Sequence, residues 1–261
     1  MTIKTFIWKD LINWRSEIEE MIPQVVCKEF IESIRECRQK FRYVDELNLF
    51  KKLYLEFDNY SVLKDDFVIN FPVRFASIRM YHCCRPIDTE SYYSKGICVL
   101  DSNEANRKFK DLFLNNPSFP EIAESHIEQA ISSIADSYMR HGYVYFAIDD
   151  RFLITYCSHY LVYGSEYIQA LAAFLERELK CGAKSELKKV GRPTVFEVDM
   201  PVGKISNVEM RDLAEDIFPA WAFAIAHNRN ETGTADFSIE IEQGLQPELI
   251  VGHYHPDLPD D

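Results

Sequence analysis

The spacing of apolar side chains changes character near residue 66, and that change constrains the fold more than any other feature of the chain. Before it, Val26, Phe30, Ile34 and Cys37 recur at helical intervals with Glu, Lys and Arg between them. Leu47, Phe50, Leu53, Tyr54 and Phe57 repeat the pattern. Residues 1–57 are therefore predicted to be helical, and residues 1–65 to form an N-terminal helical cap. Beyond 66, the segments Phe67–Phe71 and Phe75–His82 are rich in aromatic and branched residues, as strands are.

The remaining chain mixes the two periods. Residues 88–95 predict a short helix stopped by Gly96. Ile122, Ile127, Ala130, Ile134 and Tyr138 predict an amphipathic helix over 121–140, and Gly142 then introduces a strand, Tyr143–Ala147. Leu171, Phe174, Leu175 and Leu179 share a face of a helix predicted from Ser165, which suits its N-cap. After a turn at Gly191-Arg192-Pro193, Thr194–Met200 alternates like a half-buried strand. Met210, Leu213, Ile217 and Trp221 predict a helix over 208–227 that Pro219 should kink. Two strands, 236–242 and 248–254, are predicted around a turn at Gly244. Strands and helices do not alternate strictly, which favours an α+β architecture over a doubly wound parallel sheet. Neither the glycine fingerprint of a dinucleotide turn nor a P-loop is present.

Charge and cysteine usage narrow the function classes. The 261 residues carry a net charge of −13, which argues against a general affinity for nucleic-acid phosphates and leaves room only for a local basic groove. The seven cysteines are odd in number, two are adjacent, and none forms a C-x-x-C pair, so reduced thiols and a cytoplasmic location are expected. Lys4, Lys9 and Asp10 interrupt the apolar N-terminus, so no secretory core is predicted there. The longest apolar run, Phe218–Ala226, is too short to span a bilayer, and no membrane partner is expected.

Three spaced motifs carry the chemistry. The first is Tyr81-His82-Cys83-Cys84-Arg85 at a strand end, followed by a short helix and Gly96. The second is Gly142-Tyr143-Val144-Tyr145-Phe146-Ala147, with Tyr156 eleven residues beyond Tyr145. The third is Asp236-Phe237-Ser238-Ile239-Glu240, followed by Leu245 and Pro247-Glu248-Leu249-Ile250. In order and interval, over roughly residues 74–254, they resemble the His-Tyr-Glu class of ADP-ribosyltransferases, the diphtheria toxin and poly(ADP-ribose) polymerase type.

The resemblance implies a split mixed sheet over residues 66–261 and an enzyme that cleaves NAD and transfers ADP-ribose to a macromolecular acceptor, protein or nucleic acid. By analogy with the family's small members, a bacterial or phage toxin or an antiviral effector fits the size. NAD is then a co-substrate and no metal is expected. His82 would contact the adenosine ribose, the main chain of Cys83 would pair with the carboxamide, and Arg85 would belong to the same binding motif. Tyr145 and Tyr156 would stack on the nicotinamide, since offset ring stacking adds to simple burial. Asp236 or Glu240 would be the catalytic acid, stabilising positive charge as the nicotinamide–ribose bond breaks.

The chain departs from the family pattern at three places. Cys83-Cys84 stands where the family has Gly-Ser or Gly-Thr, Asp236 is one methylene shorter than Glu, and Leu153 occupies the place of a serine. These departures keep two alternatives open, an inactive binding protein on the same fold and an NAD glycohydrolase. Singly, His82 reads as a structural histidine, the tyrosines as core aromatics, and Asp236 and Glu240 as a solvated acidic face. His253 and His255 alternate in a strand as metal ligands can, but no third ligand is evident nearby.

Overall fold

The computed structural model describes residues 4–22, 32–37, 46–55, 60–135 and 142–258. Val26, Phe30, Phe57 and Tyr138, counted above in helical patterns, lie outside them. The chain divides into two compact units, one made of Met1–Met80, Ala147–Asp149 and Asp199–Ile239, the other of Tyr81–Phe146, Asp150–Val198 and Glu240–Asp261.

The first unit opens with a strand rather than a helix. β1, Lys4–Phe6, pairs in parallel with the start of β2, Phe75–Cys84, in the register Lys4↔Phe75 and Phe6↔Ile78. Phe6 is fully buried, with its ring centroid 5.4 Å from those of Trp14, Phe71 and Phe75, and this aromatic contact outweighs the helical trend of its neighbours. Around it lie α1 (Leu11–Glu19), α2 (Glu46–Tyr54) and α3 (Tyr60–Arg74). The strand expected at Phe67–Phe71 is part of α3. Its buried residues Tyr60, Leu63, Phe67 and Phe71 recur every three or four positions, so the longer period prevails over local β propensity.

The unit also holds a helix of 21 residues, Asn207–His227. Ser206 and Glu209 form a capping box at its start, and the helix runs unbroken through the buried Pro219. Stacking of Phe50 on Phe218, at 5.7 Å, joins it to α2.

In the second unit, α4 (Glu90–Lys95) ends at Gly96 as expected. α5 (Ser102–Phe113), capped by Asp101, was not predicted; α6 (Glu124–Ala135) follows. After β3 (Tyr143–Ala147) come α7 (Asp150–Tyr156), α8 (His159–Tyr163), α9 (Glu166–Leu179) and α10 (Ala183–Leu187). The Ser165 hydroxyl accepts the Ile168 amide as the N-cap of α9. Phe109, Phe113, Ile127, Tyr167, Leu171 and Leu175 form the core of this helical layer. We number the long helix of the first unit, Asn207–His227, α11.

β4 (Thr194–Pro201), β5 (Ser238–Glu242) and β6 (Ile250–Tyr254) complete a six-stranded sheet in the order β5-β3-β2-β4-β6, with β1 also on β2. β6 runs antiparallel to β4 and β1 parallel to β2, so the protein is mixed α/β with a mixed, open sheet. Among the described residues no helix is long and apolar enough to cross a membrane.

Candidate functional site

The three motifs lie on three adjacent strands, since β2 adjoins β3 and β3 adjoins β5. Within the second unit this brings His82, Tyr145 and Glu240 to neighbouring strands. Which faces they use follows from the pleat, because successive side chains leave a strand on opposite sides.

The register of β3 against β5 can be read from two hydrogen bonds. In one, the Ile148 amide donates to the Phe237 carbonyl at 3.0 Å. In the other, the Tyr143 hydroxyl donates to a Glu242 carboxylate oxygen at 3.2 Å. Five residues back along β3 thus correspond to five forward along β5, which is an antiparallel register. Two steps inward from the Tyr143–Glu242 pair, Tyr145 stands opposite Glu240 on the same face. Directly opposed residues of an antiparallel pair have Cα atoms about 4.5–5.5 Å apart, so the two side chains leave neighbouring backbone positions. Glu240 is exposed, and Tyr145 is half-buried.

His82 meets the same strand differently. Its Nδ1 lies 3.0 Å from the Tyr145 carbonyl, and its ring centroid lies 5.6 Å from that of Phe146. Phe146 and Tyr145 leave β3 on opposite faces, so the imidazole packs on the Phe146 side and reaches Tyr145 through its main chain. Burial holds the His82 pKa below its ordinary value, opposed by the bond to the Tyr145 carbonyl, and the ring is neutral at pH 7. A carbonyl only accepts, so the proton sits on Nδ1 and Nε2 is left as an acceptor. The resemblance implies a ribose contact and a catalytic part for His82; its bond to the Tyr145 carbonyl fixes one tautomer and braces β3.

The residues after His82 are held by the protein itself. The Cys83 side chain is buried among Tyr81, Leu161 and Val195, and burial drives its pKa upward. Leu153 packs against this cluster, which accounts for an apolar residue where the resembling family has serine. The Cys84 thiol is pushed up to about 12 by burial, and the hydroxyl of Tyr92 bonds its sulfur. Both thiols are therefore protonated and poor nucleophiles at neutral pH.

Arg85 binds no acid among its described contacts. Its Nε donates to the Val190 carbonyl at 2.8 Å, one terminal nitrogen to Leu161 at 2.9 Å, and the other to Lys188. Bonds to three main-chain acceptors make this guanidinium a tertiary clamp; the ligand contact that the resemblance implies would fall to its remaining N–H groups. Tyr156, at the end of α7, is 68% exposed, with its ring centroid 5.4 Å from that of Phe152. Asp236 lies just before β5, exposed, in the first unit.

Sequence reasoning missed the carboxylates that follow β3. Asp149 is fully buried and accepts the Ala235 amide at 3.2 Å, and buried Asp150 accepts the Tyr254 hydroxyl. The paired acids after a strand were the available signal. His253 and His255 are also taken. The Tyr93 hydroxyl lies 2.7 Å from Nδ1 of His253, and His255 Nδ1 meets Thr194 Oγ1 at 3.2 Å and the Pro193 carbonyl at 2.9 Å. No group of three or more potential metal ligands occurs among the described residues.

No family model, curated protein or solved structure matches the chain.

Proposed function

We propose that the Tyr145–Glu240 pair is the core of an NAD-cleaving site and that the protein is an ADP-ribosyltransferase-like enzyme acting on a macromolecular acceptor. The observation that carries this reading is the register of β3 on β5, which opposes Tyr145 and the exposed Glu240 on one face. The ring offers a surface for the nicotinamide. The carboxylate accepts a hydrogen bond from a ribose hydroxyl and stabilises the positive charge that develops at the anomeric carbon. Nicotinamide leaves with the electron pair of the glycosidic bond. The acceptor's nucleophile then bonds to the anomeric carbon and gives up its proton. His82 acts through β3, as a positioning residue.

Purified protein incubated with NAD labelled in the nicotinamide should release the label. Glu240→Gln should abolish release without changing the melting temperature, and Asp236→Asn should leave it nearly intact. Tyr145→Ala should weaken NAD binding about tenfold, the loss of roughly 1.4 kcal/mol of stacking and burial. Absence of NAD binding in the folded protein would refute the reading. NAD binding without release under any acceptor would leave the inactive binding protein, which the commitment of Arg85 to carbonyls favours as second reading.

A further inference from the structure

In a chain of net charge −13, residues 180–192 carry five basic side chains, Lys180, Lys184, Lys188, Lys189 and Arg192, and one acidic, Glu186. Lys180, Lys189 and Arg192 are exposed. The Nζ atoms of Lys184 and Lys188 lie 4.8 Å and 5.5 Å from the centroid of the Tyr163 ring. The negative ring face offsets the repulsion between these two ammonium groups and holds them within about 10 Å of each other. The backbone beneath is fixed as well. The Arg192 amide donates to the Pro86 carbonyl at 3.0 Å, and Arg85 binds the carbonyls of Lys188 and Val190. At Gly191 a β-carbon would come within 2.6 Å of the Pro86 oxygen, so the turn lies directly on the main chain at the end of β2.

We propose that this basic face, α10 and the turn that follows it, is a docking surface for the phosphodiester backbone of a nucleic-acid strand. Four of its five cations are lysines. Lysine binds phosphate as a point charge, without a fixed fork geometry, which suits a repeating backbone of phosphates, and Lys189 is the one that shares its charge with Glu186, at 2.7 Å. The concentration of positive charge in these thirteen residues, within a chain of net charge −13, attracts an approaching polyanion. The clamp by Arg85, three residues beyond His82, holds the face at the end of the strand that braces β3. The proposal goes beyond NAD cleavage and stands without it.

The test is fluorescence anisotropy of a labelled oligo-uridine strand titrated with the full chain over a range of salt concentrations. If Lys180, Lys184 and Arg192 each neutralise one phosphate, log affinity should fall against log salt with a slope of about −2 or steeper. Replacing all three by Gln should weaken binding on the order of 100-fold at about 0.1 M salt and flatten the slope by the same ~2. The melting temperature and the rate of nicotinamide release measured without an acceptor should not change. No binding at low salt, or binding whose salt slope survives the triple substitution, would overturn the proposal. So would competition by poly-glutamate as effective, charge for charge, as that by unlabelled strand, since it would mark a surface for acidic proteins.

Discussion

Arg85→Ala tests whether this arginine serves the fold or a ligand. Its guanidinium donates to the carbonyls of Val190, Leu161 and Lys188, which belong to α8 and to the segment after α10. Removal deletes three bonds from a charged donor and leaves three acceptors short of a partner. Hydrogen bonds to charged groups contribute ~1.5–3 kcal/mol each, and the half-buried setting screens part of that, so a loss of about 3–5 kcal/mol is expected. That is a large share of the ~5–15 kcal/mol stability of an ordinary domain. Arg85→Lys should recover only a minor part, because one ammonium cannot span acceptors on two segments. Urea denaturation followed by far-ultraviolet circular dichroism gives the difference in unfolding free energy. Titration with NAD at low temperature, where the Lys variant stays folded, should give unchanged affinity. A stability loss below about 1 kcal/mol in Arg85→Ala, the size of an ordinary surface substitution, would refute the clamp. A drop in NAD affinity at unchanged stability would return Arg85 to the ligand.

Two further outcomes follow from the geometry. Burial first, then Asp236, Glu215 and Asp212, raise the Asp216 pKa from 3.8 to about 6, so the folded protein holds this proton more tightly than the unfolded chain. The resulting stability is complete below about pH 4 and is lost as pH rises through 6; Asp216→Asn should raise the melting temperature at pH 7 and flatten the pH profile across that window. Gly96 has φ +82° and ψ −173°, a region essentially closed to other residues, and a β-carbon there would lie 1.9 Å from the Leu245 carbonyl oxygen. Gly96→Ala should cost about 2–4 kcal/mol in a chemical denaturation curve, as strain adds to the loss of the Ile97–Leu245 bridge, and a near-neutral value would rule out that bridge.

Local periodicity revealed most elements and failed where tertiary contact decides. The alternation in Thr194–Met200 emerges as β4, where burial has a period of two from Phe196 onward, and the aromatic run at Phe75–His82 emerges as part of β2, which buries Phe75, Ile78, Met80, Tyr81 and Cys83. The Phe67–Phe71 segment misled because its aromatic residues favour strands intrinsically, while its membership of a helical stripe is visible only over the longer window from Tyr60. Lys4–Phe6 is too short to show any period, and it becomes a strand by pairing with residues about seventy positions later. The three carbonyls bound by Arg85 lie 76 to 105 residues away along the chain, so a lone arginine beside a histidine carries no sign of them.

The candidate acid shows most sharply what a strand pattern leaves undetermined. The exposed set Asp236, Ser238, Glu240 and Glu242 alternates with buried Phe237 and Ile239, so the sequence alone tells which side chains face outward on β5. It does not tell which of them faces Tyr145, because β3 and β5 lie about ninety residues apart and no tight turn sets their register. A slip of one residue would send every side chain to the other face and expose Phe237 and Ile239, so burial alone forbids it. A slip of two residues keeps the faces and loses little apolar burial, yet it would replace Glu240 opposite Tyr145 by Ser238 or Glu242. What separates these alternatives is the Ile148–Phe237 bond at one end and the Tyr143–Glu242 bond at the other. Hydrophobic patterning thus selects the face and hydrogen bonding selects the residue, which is why Asp236 and Glu240 were indistinguishable as acids until the two strands were paired.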